Sequence, residues 1–188
     1  MSAEITATRV RSSALPGLRA SIPASELLLF CRDLRGTVTD ALVAATGRAL
    51  SAHPQVGFVL RSAGTGVGVA VDTAGGVLVP VVRNAADGPL PQVRAEVTRL
   101  VAAARTGRLS PADVGGAAVT VYACAQEIGV VGIGAHRGCI LVIDRLEYDS
   151  LDIMLSLAAN DSEVGSEEVG RLFATIVRLL KHPYRLLV

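Results

Sequence analysis

The sequence predicts an α/β fold: a two-layer sandwich in which helices pack on a mixed β-sheet. Three observations carry that expectation. Of 188 residues, 51% are hydrophobic, enough to bury one sizeable core in a single domain. With three Phe, three Tyr and no Trp, that core is built from Val, Leu, Ile and Ala, which suits layers of sheet and helix. Short runs of β character alternate along the chain with long stretches of helical period.

The elements follow in order. Residues 11–24 read as loose chain, and one domain is drawn over 21–188 behind an arm of residues 1–20. In "GTVTDALVAATGRALSAHP", Thr37 or Thr39 can cap a helix whose Leu42, Ala45, Ala49 and Leu50 share a face and which ends before His53-Pro54. "VGVAVDTAGGVLVPVV" predicts two β runs, Val67 to Asp72 and Val77 to Val82, joined by a turn at Gly75-Gly76. Val93, Val97, Leu100, Val101 and Ala104 lie at helical spacing with charges opposite, up to Gly107. "AAVTVYAC", "CILVID" and "DIMLSLAAN" are three further strands, the first two separated by a Gly-rich segment. A last helix begins at Ser166, a cap followed by Glu167 and Glu168 that favour its dipole, and it stops at Pro183.

Composition excludes several function classes. A net charge of +1 leaves no wide positive field for a phosphate backbone, so no nucleic-acid partner is expected. No apolar run approaches the roughly 20 residues that span a bilayer, so no membrane partner is expected either. Two arginines near the N-terminus have no apolar segment behind them, which reads as no secretory signal. Cys31, Cys124 and Cys139, odd in number and widely spaced, give neither a disulfide framework nor a zinc pattern; a reducing cytoplasm fits them. His53, His136 and His182 are too dispersed for an evident metal site, and no cofactor is required by any motif. The Gly-rich "SAGTGVGVA" lacks Gly-Lys-Ser/Thr and enters a strand, so it reads as a hairpin turn and not a phosphate loop.

The order of these phrases resembles the catalytic domain of dihydrolipoamide acyltransferases, the core component of 2-oxo acid dehydrogenase complexes, and with it the chloramphenicol acetyltransferase-like fold. "VGVAVDTAGGVLVPVVRNA" carries the likeness most specifically, and it extends through "VRAEVTRLVAAARTGRLSPADVGG", "DALVAATGRALSAHPQV", "GCILVIDRLE" and "LLKHPYRLL". The resemblance implies a homotrimer with active sites in clefts between copies, and in larger members a cage to which the C-terminal tail contributes. The apolar end Leu186, Leu187 and Val188 fits either that role or a tail folded on its own core. No lipoyl-bearing module precedes the domain, which reads as free-standing.

The departures from the family pattern decide the chemistry. Where the family has Asp-His-Arg-x-x-Asp-Gly, "SLAANDSEVGSEEVGRLF" places Asn160, Asp161 and Ser162, or Ser162 on the histidine position after a one-residue slip; neither register supplies an imidazole. Where the family has Ser-Asn-Leu-Gly, whose serine is implied to bond the oxyanion, this chain has Val121 or Tyr122. A general base typically supplies about 10²–10⁴-fold, and an aspartate with an ordinary pKa near 3.9 is a weak one unless burial raises it. Asp161, Ser162 and His136 are the candidate catalytic residues, with Tyr122, Cys124 and Asn160 as substrate-binding candidates. Each has a plainer reading: Asp161 a turn residue or Asx cap, His136 surface or interface, Cys124 a buried structural thiol. His53 and His182 read as helix-end residues, and Cys31 and Cys139 as core.

Two functions are expected from this pattern. The first is an acyltransferase relative repurposed for small-molecule biosynthesis, acting on an acyl thioester such as a coenzyme A thioester, or on an acylated or cyclising metabolite, in an intersubunit cleft. The alternative is a catalytically inactive homotrimer that scaffolds a partner protein.

Overall fold

The computed structural model describes residues 17–56, 66–123, 139–146, 152–159 and 167–187. The chain enters through strand β1 (Gly17–Pro23) and helix α1 (Ala24–Asp33), then helix α2 (Val38–Ala52). Four short strands follow: β2 (Gly66–Val69), β3 (Val71–Thr73), β4 (Gly76–Leu78) and β5 (Val81–Val82). Helix α3 (Leu90–Arg105), strands β6 (Ala117–Ala123), β7 (Cys139–Leu146) and β8 (Asp152–Ala159), and helix α4 (Glu167–Lys181) complete the order. The main sheet is mixed, in the order β1-β8-β7-β6-β2-β5, and β3 and β4 form a separate hairpin. This is the α/β sandwich expected, with two corrections.

Gly17–Ala20 are not part of a loose arm: β1 pairs antiparallel with β8 along its whole length, Gly17 opposite Ala158 through Pro23 opposite Asp152. Nor are Val67–Asp72 and Val77–Val82 continuous strands. The Ala70 amide donates to the Val121 carbonyl (2.9 Å) and the Val69 amide to the Pro80 carbonyl (2.9 Å), so the ladder of the main sheet ends there and the chain turns into the β3–β4 hairpin. Thr73 fastens that hairpin, its hydroxyl donating to the Gly76 carbonyl (2.6 Å). Gly76, at φ 114°, takes a conformation open to glycine and costly for other residues.

Helix α2 is the centre of the helical layer. Thr37 caps it in a reciprocal box, its side chain accepting from the Asp40 amide (3.2 Å) while Asp40 accepts from the Thr37 amide (2.7 Å). Its far end is capped by His53, whose Nε2 lies 2.8 Å from the Thr175 hydroxyl on α4. One continuous core joins Leu42, Ala45, Ala49 and Leu50 of α2 to Leu172 and Ile176 of α4 and to Ile153, Leu155 and Leu157 of β8. The period-two spacing on β8 turns those three inward, and burying a side chain of that size stabilises by about 1.5–3 kcal/mol. On α4, Val169, Leu172, Phe173, Ile176 and Leu180 are buried at helical spacing.

The tail folds back on its own domain. Arg48 donates to the Leu186 carbonyl (3.0 Å), Leu186 is buried, and Tyr184 packs edge-on against Phe30 (5.3 Å between ring centres) while its hydroxyl donates to Asp33 (3.0 Å). Leu187, by contrast, is 50% exposed.

Candidate functional site

A cleft of about 650 Å³ opens between the α1–α2 turn, the chain from Val69 to Asp72 and one side of α3. Helical spacing builds its α3 wall: Arg94, Thr98, Val101 and Arg105 form a stripe beside the buried Val93, Val97, Leu100 and Ala104. Tyr122 supplies the floor from β6, where it lies opposite Val142 of β7. It is buried, and its hydroxyl donates to Asp72 Oδ2 (3.2 Å) across the point where the β3–β4 hairpin leaves the sheet.

The rim at α1 is an ordered helix end. The Gly36 amide donates to the Cys31 carbonyl (2.8 Å) and the Arg35 amide to the Arg32 carbonyl (3.1 Å), the paired bonds of a Schellman motif. The left-handed position of that motif, where glycine is the usual occupant, is held by Arg35 at φ 52°. Arg94 then covers the helix end, donating to the carbonyls of Leu34 (3.0 Å) and Arg35 (2.7 Å), where a cation also suits the dipole. Behind this rim, burial and then the Asp40 carboxylate push the Cys31 thiol up to about 11, so it stays protonated as a core residue.

The strand that carries Tyr122 is fixed from outside the cleft. Asp113 accepts from the Ser110 amide (2.8 Å) and hydroxyl (2.7 Å) and from Arg99 (2.7 Å); the Arg99 hydrogen bond comes first among the causes that hold its carboxyl well below the usual carboxylate range. Arg83 donates to the Ala112 carbonyl (2.8 Å), and Gly115 and Gly116, both at positive φ, turn the chain into β6.

Of the six catalytic and substrate-binding candidates, Tyr122 is the one the structure describes. Asn160, Asp161, Ser162, His136 and Cys124 lie outside the described residues. Sequence reasoning did not single out Asp72, Arg35, Arg94 and Arg105. The first stands in the quoted Asp-Thr phrase; Arg35 precedes Gly36 at the end of a helix that was not foreseen, and Arg94 and Arg105 were counted only as the charged side of α3. Among the described residues no cluster of three or more His, Cys, Asp or Glu could hold a metal, and no helix is long and apolar enough to cross a membrane.

A mixed sheet with helices packed on it is the architecture of the chloramphenicol acetyltransferase-like fold. Solved chloramphenicol acetyltransferase superposes with a TM-score of 0.53 at 10% identity, over 88% of this chain and 85% of that one. The cubic core of the pyruvate dehydrogenase multienzyme complex superposes better, with a TM-score of 0.71 at 22% identity, over 94% of this chain and 86% of that one. The chain belongs to the family of 2-oxoacid dehydrogenases acyltransferase (catalytic domain), which matches residues 7–188. A curated relative is the dihydrolipoyllysine-residue acetyltransferase component of the Bacillus subtilis pyruvate dehydrogenase complex, 28% identical over 135 residues, covering 65% of this chain. The chain spans 30% of that relative's length.

Proposed function

We propose that this acyltransferase-family domain transfers an acyl group from a thioester, such as a coenzyme A thioester, to a small-molecule acceptor, in a cleft completed by neighbouring copies of the chain. In the reaction the acceptor O–H or S–H gives its proton to the Asp161 carboxylate as its oxygen or sulfur bonds to the acyl carbon. The C–S bond then breaks, and the departing thiolate recovers the proton. The single observation that carries the reading is the cleft beside Tyr122, a cavity in the size range of small-molecule sites, in a chain whose 156–173 stretch has polar residues but no histidine. Ser162 and Asn160, neighbours of Asp161 in sequence, are the polar groups proposed for the acceptor, and His136 is the histidine proposed for the subunit boundary. Cys124, next in sequence after β6, is proposed as a substrate-binding group. The cubic core built by the solved pyruvate dehydrogenase relative supports a homotrimer or a larger cage.

A second reading rests on Tyr122 itself. Its hydroxyl is already committed to Asp72, which favours a trimer that has lost catalysis and scaffolds another protein. Calorimetric titration with acetyl-coenzyme A separates the two. Binding, with turnover lost in Asp161→Asn, supports the enzyme; no affinity at millimolar thioester supports the scaffold.

A further inference from the structure

We infer that the cleft beside Tyr122 is an anion site in which Arg35 and Arg105 grip a carboxylate or phosphate group of the ligand. This deepens the proposed reading of the cleft as a substrate site and rests on it for the ligand's role. The charge on the cleft wall is the first argument. Three arginines, Arg35, Arg94 and Arg105, and two acids, Asp40 and Asp72, are the charged residues of its lining. Both acids are engaged, Asp40 by the Thr37 amide and Asp72 by the Tyr122 hydroxyl. Arg94 uses Nη1 on the end of α1. Arg35 and Arg105 make no side-chain hydrogen bond or ion pair among the described residues, so what the cleft offers a ligand is net cationic.

The second argument is conformational and independent of charge. A residue with a Cβ in the left-handed region costs roughly 1–2 kcal/mol, and only glycine avoids that cost. Arg35 occupies such a position at φ 52° in a helix-end motif where glycine would serve the fold better. Strain kept at a cavity-lining residue points to a role for that residue, and a guanidinium's planar fork matches a carboxylate or phosphate. The start of α2 adds to the field. Thr37 and Thr39, at the positive end of that helix, belong to the cleft lining.

The test is calorimetric titration of the intact chain with pyrophosphate and, separately, with succinate. The wild type is expected to bind at least one of them with a dissociation constant of about 1 mM or tighter, and Arg35→Gly and Arg105→Gln are each expected to weaken it at least tenfold. Arg35→Gly is expected to melt no lower than the wild type, since it relieves the backbone, so lost binding there is not lost folding. Preference for pyrophosphate identifies a phosphate-bearing ligand and preference for succinate a carboxylate. Equal affinity in wild type and both variants, or no binding of either anion at about 10 mM, overturns the inference. Small-anion binding without acetyl-coenzyme A affinity would leave the anion site standing and remove the acyl-transfer reading; the opposite pair of results would do the reverse.

Discussion

Asp113 is the carboxylate on which the entry to β6, and so the position of Tyr122, depends. Its hydrogen bonds from Arg99 and Ser110 hold the folded pKa below the ordinary value. A depressed carboxyl contributes stability that is complete above its unfolded pKa, near 3.9, and that is lost as pH falls below that value toward the folded one. Asp113→Asn is therefore expected to lower the melting temperature at neutral pH, with the gap to wild type narrowing progressively below about pH 4. Thermal melts at several pH values check this; a gap unchanged down to about pH 3 would mean that ionisation of Asp113 is not its source. At this scale the sequence pointed to Tyr122 by its place in the chain, but not to its partner. Asp72 lies fifty positions away, and the two meet only because Ala70 leaves the sheet beside Val121. Arg94 covering the end of α1, sixty positions from Leu34, was out of reach for the same reason: non-local hydrogen bonds have no local period.

The helices show how packing reverses a local preference. Gly→Ala inside a helix ordinarily stabilises by about 0.5–1 kcal/mol. At Gly47 on α2 an added Cβ would stand 2.5 Å from the Ala85 Cβ and 2.6 Å from its carbonyl carbon, so the backbones could not stay as close. Overpacking of that kind costs about 1–3 kcal/mol and wins. Gly170 on α4 meets nothing within 4 Å. Urea unfolding is expected to show Gly47→Ala destabilised and Gly170→Ala stabilised by about 0.5–1 kcal/mol; stabilisation of both would contradict the close α2 contact. Most elements are legible because their signals are local: the cap at Thr37 or Thr39 and the apolar face of α2, the stripe of α3, the glycine turns at Gly76 and Gly107. Strand β1 and helix α1 are not. "GLRASIP" alternates only weakly and gains its ladder from β8, more than a hundred residues on, and α1 starts behind Pro23 with no side-chain cap to announce it.

At the scale of the whole molecule, the tail answers part of what the sequence left open. Leu186 is buried on the chain's own core, whereas Leu187, half-exposed, is free to meet another copy. The fold and family are those of acyltransferase cores, and the central proposal is that the shared cleft outlived its histidine. Native mass spectrometry in the presence of acetyl-coenzyme A tests this most directly. A species at three times the mass of the chain, or a multiple of that, carrying bound thioester is the expected result; a single chain with none bound would overturn the proposal.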